Sequence, residues 1–591
     1  MPVPAQHPDA GGCENDAVPN ALATLTARLA AMFDAVSPGA DPVVRPSDHS
    51  DLQANGALAL AKSLGRSPRE VAADVVAQDD LADICARVEI AGPGFINLTF
   101  SDAYLATAVA AMAADERLGV PPAAEPERTV VDYSAPNVAK EMHVGHLRST
   151  VIGDAIVRLL TFAGHDVIRE NHVGDWGTPF GMLIEHLVDA GGTAGVGELG
   201  AGDLTAFYRE ARAIFDTSEE FQARSRERVV RLQAGDPETL RLWQTLVDQS
   251  AAEFQVVYDQ LGVLLTRADI VGESFYNPLL ESTVAELDAK GLLVESDGAR
   301  VVFPPGFSGR DGEPMPVIVQ KADGGYNYTT SDLATVRDRV GRLGATWLIY
   351  VVGAPQAQHF AMAWKVCELA GWLTPPARCV HVQFGNVLGD DRKMLRTRAG
   401  GTLRLAELLD EAVTRARVVV EERSAGLDEQ ERAAIANAVG IGAVKFADLS
   451  SDRVGDYVFS WDRMLALDGF TAPYLQYAHA RIRSIFRRAG ADGGSAVTPV
   501  LGTPEERALA LALTRFAPAF DETVARLAPH RLCAYLFELA QAFTSFYDAC
   551  PVLRDDVDAE TRASRLSLCH VTARTLATGL GLLGIEAPQR M

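Results

Sequence analysis

Apolar and polar positions repeat with two different periods along this chain, and the changes of period divide it. Between residues 20 and 104 a helical period predicts helices over Leu22–Val36 and Gly56–Leu64, with a third after Pro68 in PREVAADVVAQ. The stretch ARVEIAGPGFINLTF then alternates with a period of two and predicts a strand that closes an α+β unit. Residues 113–128, AADERLGVPPAAEPER, are rich in proline and charge and predict a linker. From Thr129 onward strand and helix patterns alternate. Strands are predicted at Val130–Tyr133, His165–Arg169 and Trp347–Val352, and a helix at Gly145–Phe162. That alternation predicts an α/β fold with a doubly wound, Rossmann-like parallel sheet and ligands at the strand carboxyl ends. Residues 200–290 read as a helical interruption, and beyond Leu405 nearly everything is helical. The expected organisation is a tail (1–18), an α+β unit (20–112), a linker (113–128), an α/β unit (129–468) and an all-helical unit (469–591).

Composition narrows this picture. A chain of 591 residues is too long for one core, and 48% hydrophobic content marks it as globular. No uninterrupted apolar run is long enough to predict a membrane helix. The opening MPVPAQHPDAGGCEND has no basic region followed by an apolar core, so a cytoplasmic location without a secretory signal is expected. Its Pro, Gly and Asp content predicts disorder over residues 1–18. Seven cysteines without a CxxC pair read as reduced thiols. The net charge of −24 argues against a general nucleic-acid binder, so any polyanion must be met by local positive charge.

The richest chemistry lies in VDYSAPNVAKEMHVGHLRSTVIGDA, Val131 to Ala155. An apolar strand runs into a polar turn and then a helix. His143 and His146 sit three residues apart at the helix start, sharing one face. A helix N-terminus offers free N–H groups and partial positive charge to a polyphosphate, and Gly145 lets it approach the backbone. Two histidines at this spacing also fit a capped helix start or two metal ligands; no nearby Cys or HExxH supports the metal reading. A second basic string, Gly389-Asp390-Asp391-Arg392-Lys393-Met394-Leu395-Arg396 and onward to Gly401, is flanked by glycines before a predicted helix. Read alone it is a solvated basic loop. A third string, YLQYAHARIRSI, places Tyr477, Arg481, Ser484 and Arg488 at helical spacing. Residues 471–490 carry four arginines and no acid, the mixture suited to stacked bases and phosphates or to a solvated helix face.

In this order the strings resemble the class I aminoacyl-tRNA synthetases, with His143-Val144-Gly145-His146 as the HIGH signature and Lys393-Met394 as the first half of KMSKS. The surrounding residues, with NHVGDWGTPFGML, GESFYN and the final GLGLLGIEAPQRM, resemble the arginyl-tRNA synthetase family. Leu395-Arg396 departs from the KMSKS pattern, as that family often does. The resemblance then assigns Lys140, just before the signature, to share charge neutralisation with Lys393 and Arg396. It implies that Val144, Gly145 and Met394 contact ATP, and that His143 and His146 stabilise the transition-state phosphate.

The resemblance further implies an arginine pocket from Asp132, Asn137, Tyr328, Asp332, Gln356 and His172. For Asp332 the alternative is helix capping through Ser331 or Asp332, and His172, Asp175 and Trp176 either line the pocket or pack the sheet. Tyr474, Tyr477, Arg481 and Arg483 are implied tRNA contacts of a helical anticodon-binding domain. The N-terminal unit is implied to meet tRNA through Phe95 and Asn97, although residues 20–104 carry a net −5 and a packing strand explains both residues equally well. The implied activity is arginine activation by ATP with Mg2+, then transfer to tRNA(Arg), with activation dependent on bound tRNA. No tightly bound cofactor, protein metal site or membrane contact is implied, and the expected state is a monomer. Little chain between His146 and Lys393 is left for an editing domain, which suits a substrate with strongly polar recognition groups. Two alternatives stay open: another class I synthetase or adenylyl transferase, and a non-catalytic tRNA-binding paralogue.

Overall fold

A computed structural model describes residues 20–191, 203–309, 311–395, 403–423, 426–490 and 497–591. The expected disordered tail and Arg396 lie outside the described residues. The chain forms two compact units: one holds residues up to 121 with 482–521 and 538–575, and the other holds 122–481, 522–537 and 576–591. These units cut across the predicted boundaries, because parts of the helical 469–591 segment belong to each.

In the first unit, helix Ala21–Val36 starts at an Asn20 cap and buries Leu25, Leu29, Met32 and Phe33 at helical spacing. Ser67 and Glu70 form a reciprocal capping box ahead of helix Pro68–Val76. The sheet pairs β1 (Val44–Pro46), β2 (Leu52–Ala54), β3 (Cys85–Ala91) and β4 (Phe95–Phe100) in the order β1-β2-β4-β3. The single strand predicted over ARVEIAGPGFINLTF is therefore a hairpin. Gly92 at φ +53° and Gly94 at φ +146° make the turn, and a Cβ at Gly94 would sit 2.6 Å from the Pro68 carbonyl oxygen. The predicted linker is also ordered in its first half: helix Asp102–Ala114 runs into it, Leu118 and Val120 are buried, and Arg574 donates to the Ala113 and Asp115 carbonyls.

The second unit carries a parallel sheet of β5 (Arg128–Asp132), β6 (Asp166–Glu170), β10 (Trp347–Tyr350) and β11 (Arg378–His381), in the order β11-β10-β5-β6. The connections leave β5 in opposite directions, toward β6 and later toward β10, so a crevice opens at the carboxyl ends between β5 and β10. Every residue of β10 is buried, as its unbroken apolar run requires. Val130, Leu348 and Tyr350 pack on Leu333 and Val336 of helix Tyr328–Gly341 and on Phe360 and Val366 of helix Ala357–Leu369. An antiparallel sheet of β7 (Val294–Ser296), β8 (Ala299–Val302) and β9 (Val317–Gln320) is inserted before β10, and nothing in the hydrophobic pattern announced it. Helices Asp203–Thr217, Glu219–Gln233 and Pro237–Leu261 fill the expected helical interruption. β12 (Val387–Leu388) pairs in parallel with β13 (Tyr457–Val458), a short exception to the helical region after Leu405. The six described cysteines are free.

Residues 576–591 close this unit. Lys445 is 1% exposed and donates to the Gly584 carbonyl at 2.6 Å. Burial pushes its pKa down to about 8, against the pull of Asp154. Asp154 lies on the signature helix Val144–Ala163, and a Cβ at Gly584 would come within 2.9 Å of Lys445 Nζ and 3.1 Å of Asp154 Oδ2. Gln476 Nε2 donates to the Glu586 carbonyl alongside.

Candidate active site

The turn from β5 into the signature helix is strained and held on every side. Ser134, Ala135 and Ala139 adopt left-handed φ values of 74°, 47° and 59° without being glycine, at a cost of about 1–3 kcal/mol each. Surrounding bonds offset the cost. Ser149 Oγ accepts from the Ser134 amide at 2.9 Å and donates to the Val351 carbonyl at 2.6 Å. Tyr258 links Ser134 Oγ (2.8 Å) to Asn171 Nδ2 (2.9 Å), and Asn171 Oδ1 accepts from the Ala135 amide at 3.0 Å. Ser250 Oγ accepts from the Ala139 amide at 2.9 Å. Ser250 and Tyr258 come from helix Pro237–Leu261, so the helical insertion fixes the turn; the sequence reading singles out neither of these two.

The two signature histidines cap the helix they begin. His143 Nδ1 accepts from the Gly145 amide at 3.0 Å, and His146 Nδ1 accepts from the His143 amide at 3.1 Å. Their ring centroids are 4.1 Å apart. A Cβ at Gly145 would lie 2.7 Å from the His143 ring, so this glycine makes room for an imidazole as well as for a ligand. Burial lowers the His146 pKa to about 3, with the neighbouring His143 adding to it. Burial and then Lys140 lower that of His143. Both rings are therefore neutral at pH 7. The Val144 side chain is 4% exposed and its amide donates to the Leu403 carbonyl at 3.1 Å.

The segment that follows the basic string lies against the signature. Leu405 N–H donates to the Met142 carbonyl at 2.9 Å and His143 pairs with Arg404, so segments 142–144 and 403–405 run side by side. Arg404 also bonds Glu141 at 2.8 Å. At the other end of the string, β12 leads into a tight turn in which the Gly389 amide donates to the Lys393 carbonyl at 2.8 Å. Lys393 is exposed, and Met394 is 53% exposed. Arg148, 1% exposed, bonds Asp448 and the Gly455 carbonyl and ties the signature helix to the loop before β13.

An acidic group occupies the other end. Asn327 caps helix Tyr328–Gly341, which removes the capping role considered for Ser331 or Asp332. Asp332 Oδ2 instead lies 2.6 Å from His359 Nε2, and Tyr328, 63% exposed, has its ring 5.1 Å from the His359 ring. Glu273, absent from the sequence reading as a site residue, interacts with His172, Asp175 and Asp332; burial, against the pull of His172 and with the two aspartates adding to it, raises its pKa to about 7. His172 is half-buried, with Nδ1 3.1 Å from the Val271 carbonyl and its ring against Tyr276. Asp175 packs and supports: both its oxygens accept from Ser274, at 2.8 and 2.6 Å. Trp176 packs edge-on against Trp243. Asn137 and Gln356 are exposed, Asn137 beside Gly174, where a Cβ would meet its Oδ1 at 2.3 Å. The Asp132 carboxylate accepts from buried Arg339 at 2.8 Å, with Glu170 on the same guanidinium.

On helix Ala472–Ala489, Tyr477 is 41% exposed and Arg488 exposed, with Arg481 and Ser484 half-buried between them along the predicted stripe. Tyr474 meets Phe537 with ring centroids 5.5 Å apart, and Arg483 lies over Phe486 at 5.7 Å. In the N-terminal sheet Phe95 is half-buried. Asn97 is 7% exposed and its Oδ1 accepts from Gln53 Nε2 at 2.7 Å across the strands.

Comparison with known proteins follows this geometry. Residues 108–461 match the family described as tRNA synthetases class I (R), catalytic domain; residues 475–591 match the DALR anticodon binding domain; residues 19–100 match the arginyl tRNA synthetase N terminal domain. The arginine–tRNA ligase of Thermobifida fusca is 56% identical over 564 residues, 95% of this chain and 97% of the relative. That of Streptomyces avermitilis is 49% identical over 97% of this chain and all of its own length. Among solved structures, arginyl-tRNA synthetase from Plasmodium falciparum superposes with a TM-score of 0.83 at 27% identity, covering 97% of this chain and 99% of that one. The Thermus thermophilus enzyme gives 0.80 at 27%, covering 96% and 99%.

Proposed function

The chain belongs to the arginine–tRNA ligase family of class I synthetases, and on that premise we propose how its residues divide the work of joining arginine to tRNA. The arginine carboxylate attacks the α-phosphorus of ATP, which arrives with Mg2+ as a substrate complex, to give arginyl-adenylate and pyrophosphate. The terminal ribose hydroxyl of tRNA(Arg) then attacks the adenylate and releases AMP. Positioning and charge stabilisation carry both steps, without a covalent enzyme intermediate.

The observation that supports this reading is the side-by-side run of segments 142–144 and 403–405, which sets the chain that follows the basic string against the signature turn. There His143 and His146, as neutral imidazoles, hydrogen-bond the reacting phosphate. Gly145 gives it backbone access. Lys140, Lys393, Met394 and Arg396 meet the leaving pyrophosphate. At the acidic end Asp332 and Glu273 receive the guanidinium in charge-assisted bonds, Tyr328 covers it, and Asn137, Gln356 and His172 complete the pocket. Glu273 suits the task because an incoming cation restores the charge that burial suppresses. Tyr474, Tyr477, Arg481 and Arg483 read the anticodon region, and Phe95 touches the tRNA from the N-terminal unit (20–112). Residues 129–468 carry the catalysis and 469–591 the anticodon contacts. We read the enzyme as a cytoplasmic monomer, the usual state in this family. Among the described residues no helix is long and apolar enough to cross a membrane.

ATP–pyrophosphate exchange across the twenty amino acids, with and without tRNA, tests the whole assignment. Exchange is expected with arginine alone and only when tRNA is present. Exchange with a different amino acid overturns the pocket, and folded protein that binds tRNA but never exchanges overturns the catalytic reading.

A further inference from the structure

Helix Asp203–Thr217 belongs to the insertion, outside the crevice just described, yet one of its side chains reaches the signature turn. Leu204, Phe207 and Ala211 are buried at helical spacing, and the Phe207 ring packs at a tilt against His186 of helix Pro179–Asp189, ring centroids 4.6 Å apart. This stripe fixes the rotation of the helix and leaves the next residue, Tyr208, half-buried at its edge. The Lys140 ammonium sits over the Tyr208 ring, 4.9 Å from its centroid. Lys140 is itself aimed by Ala139, fully buried in a left-handed conformation with its amide held by Ser250. Among the described residues Lys140 forms no ion pair, and the adjacent Glu141 is engaged by Arg404.

An aromatic face is a distinctive partner for a cation that must later meet phosphate. A carboxylate would neutralise the ammonium and compete with the triphosphate. A ring attracts the cation through its quadrupole, brings no net charge, and leaves the ammonium N–H groups free to donate. Here the ammonium lies three residues before His143 in the signature turn, and it adds to the burial that lowers that imidazole's proton affinity.

We propose that Tyr208 is a positioning residue for ATP, its ring face holding the Lys140 ammonium in place beside the signature histidines. The proposal rests on the reading of Lys140 as a pyrophosphate contact and adds the insertion helix to the ATP site.

ATP titrations of the aminoacylation rate, with full-length protein, saturating arginine and tRNA, test it. Tyr208→Leu should raise the KM for ATP about two- to five-fold, the worth of one exposed cation–π contact, with the KM for arginine unchanged. Tyr208→Phe, which keeps the ring, should match the native enzyme. Pentafluorophenylalanine at 208, with a ring of similar shape and an electron-poor face, should behave like leucine; it also separates the ring's electrostatics from any folding defect in the leucine variant. In a Lys140→Ala background Tyr208→Leu should add nothing. If Lys140→Ala impairs ATP use while Tyr208→Leu and the fluorinated ring do not, the Tyr208 proposal is overturned and the Lys140 reading stands. If Lys140→Ala itself leaves ATP use unchanged, both fall. Damage by Tyr208→Phe equal to that by leucine would replace the ring contact with a hydroxyl role and overturn the proposal too.

Discussion

The two ends of the crevice use burial in opposite directions. At the signature turn, burial strips protons from imidazoles: His146 is held down to about 3 and His143 is lowered with it. At the acidic end, burial keeps a proton on a carboxyl group: Glu273 is raised to about 7. At each end burial thus favours the neutral form of a group that will meet substrate, the histidines beside the phosphate and Glu273 beside the guanidinium. The lesson is that burial alone tunes an imidazole and a carboxyl group toward the same uncharged state. Arginine brings the cation that ionises Glu273, and ATP brings the anion that the lysines meet.

Substitutions at one end should leave the other untouched, and the largest effect tests this most sharply. Asp332→Ala should cost about 2–5 kcal/mol in kcat/KM for arginine, roughly 30- to several-thousand-fold, with the KM for ATP within about two-fold. An equal loss for both substrates, or an unchanged arginine affinity, breaks the comparison. His146→Ala should lower kcat by about 10²-fold, the usual effect of losing one donor to a developing charge, while equilibrium binding of arginine is preserved. Glu273→Gln should weaken arginine about ten-fold by removing one charge-assisted bond.

The pH dependence separates the ends further. Because the free-state pKa of Glu273 is raised, arginine must displace its proton below about pH 7. Arginine affinity should therefore fall as pH drops through 7 and level off above it. Calorimetry in buffers of different ionisation enthalpy should show proton release near pH 6, and Glu273→Gln should abolish both effects. The smallest effects come from two glycines. Gly145→Ala drives a Cβ into the His143 ring (2.7 Å), and Gly272→Ala drives one into the Asp175 carboxylate (2.2 Å). Each should cost about 1–3 kcal/mol of stability in thermal unfolding; the first should raise the KM only for ATP and the second only for arginine.

What could be read from sequence was what is local. The signature turn, β5, β6, β10 and the helix between them are announced by contiguous patterns, so their residues could be placed directly. The hairpin of β3 and β4 was read as one strand because the alternation runs on through Gly92-Pro93-Gly94. β7 to β9 are too short to show a period. Asp132 looked free at a strand end because its partner, Arg339, lies 207 residues further on. The hydrogen bonds of Val144 and Asn97 were out of sight for the same reason, going to Leu403 and Gln53. Glu273 escaped because its chemistry comes from burial and from carboxylates on other segments. The GESFYN string that holds it was visible, and a carboxylate within it was the one available signal.

The Lys445–Gly584 bond carries a consequence for how the protein is made. Asp154, on the helix that starts with the histidines, leaves the ribosome early, whereas the carbonyl that satisfies Lys445 beside it is among the late arrivals. Until Gly584 has been synthesised, the Lys445 ammonium beside Asp154 lacks its backbone acceptor, and water must stay in the seam to solvate it. A message cut short therefore yields a catalytic unit with an open, hydrated seam, which proteases and chaperones can distinguish from the finished enzyme before it ever meets a tRNA.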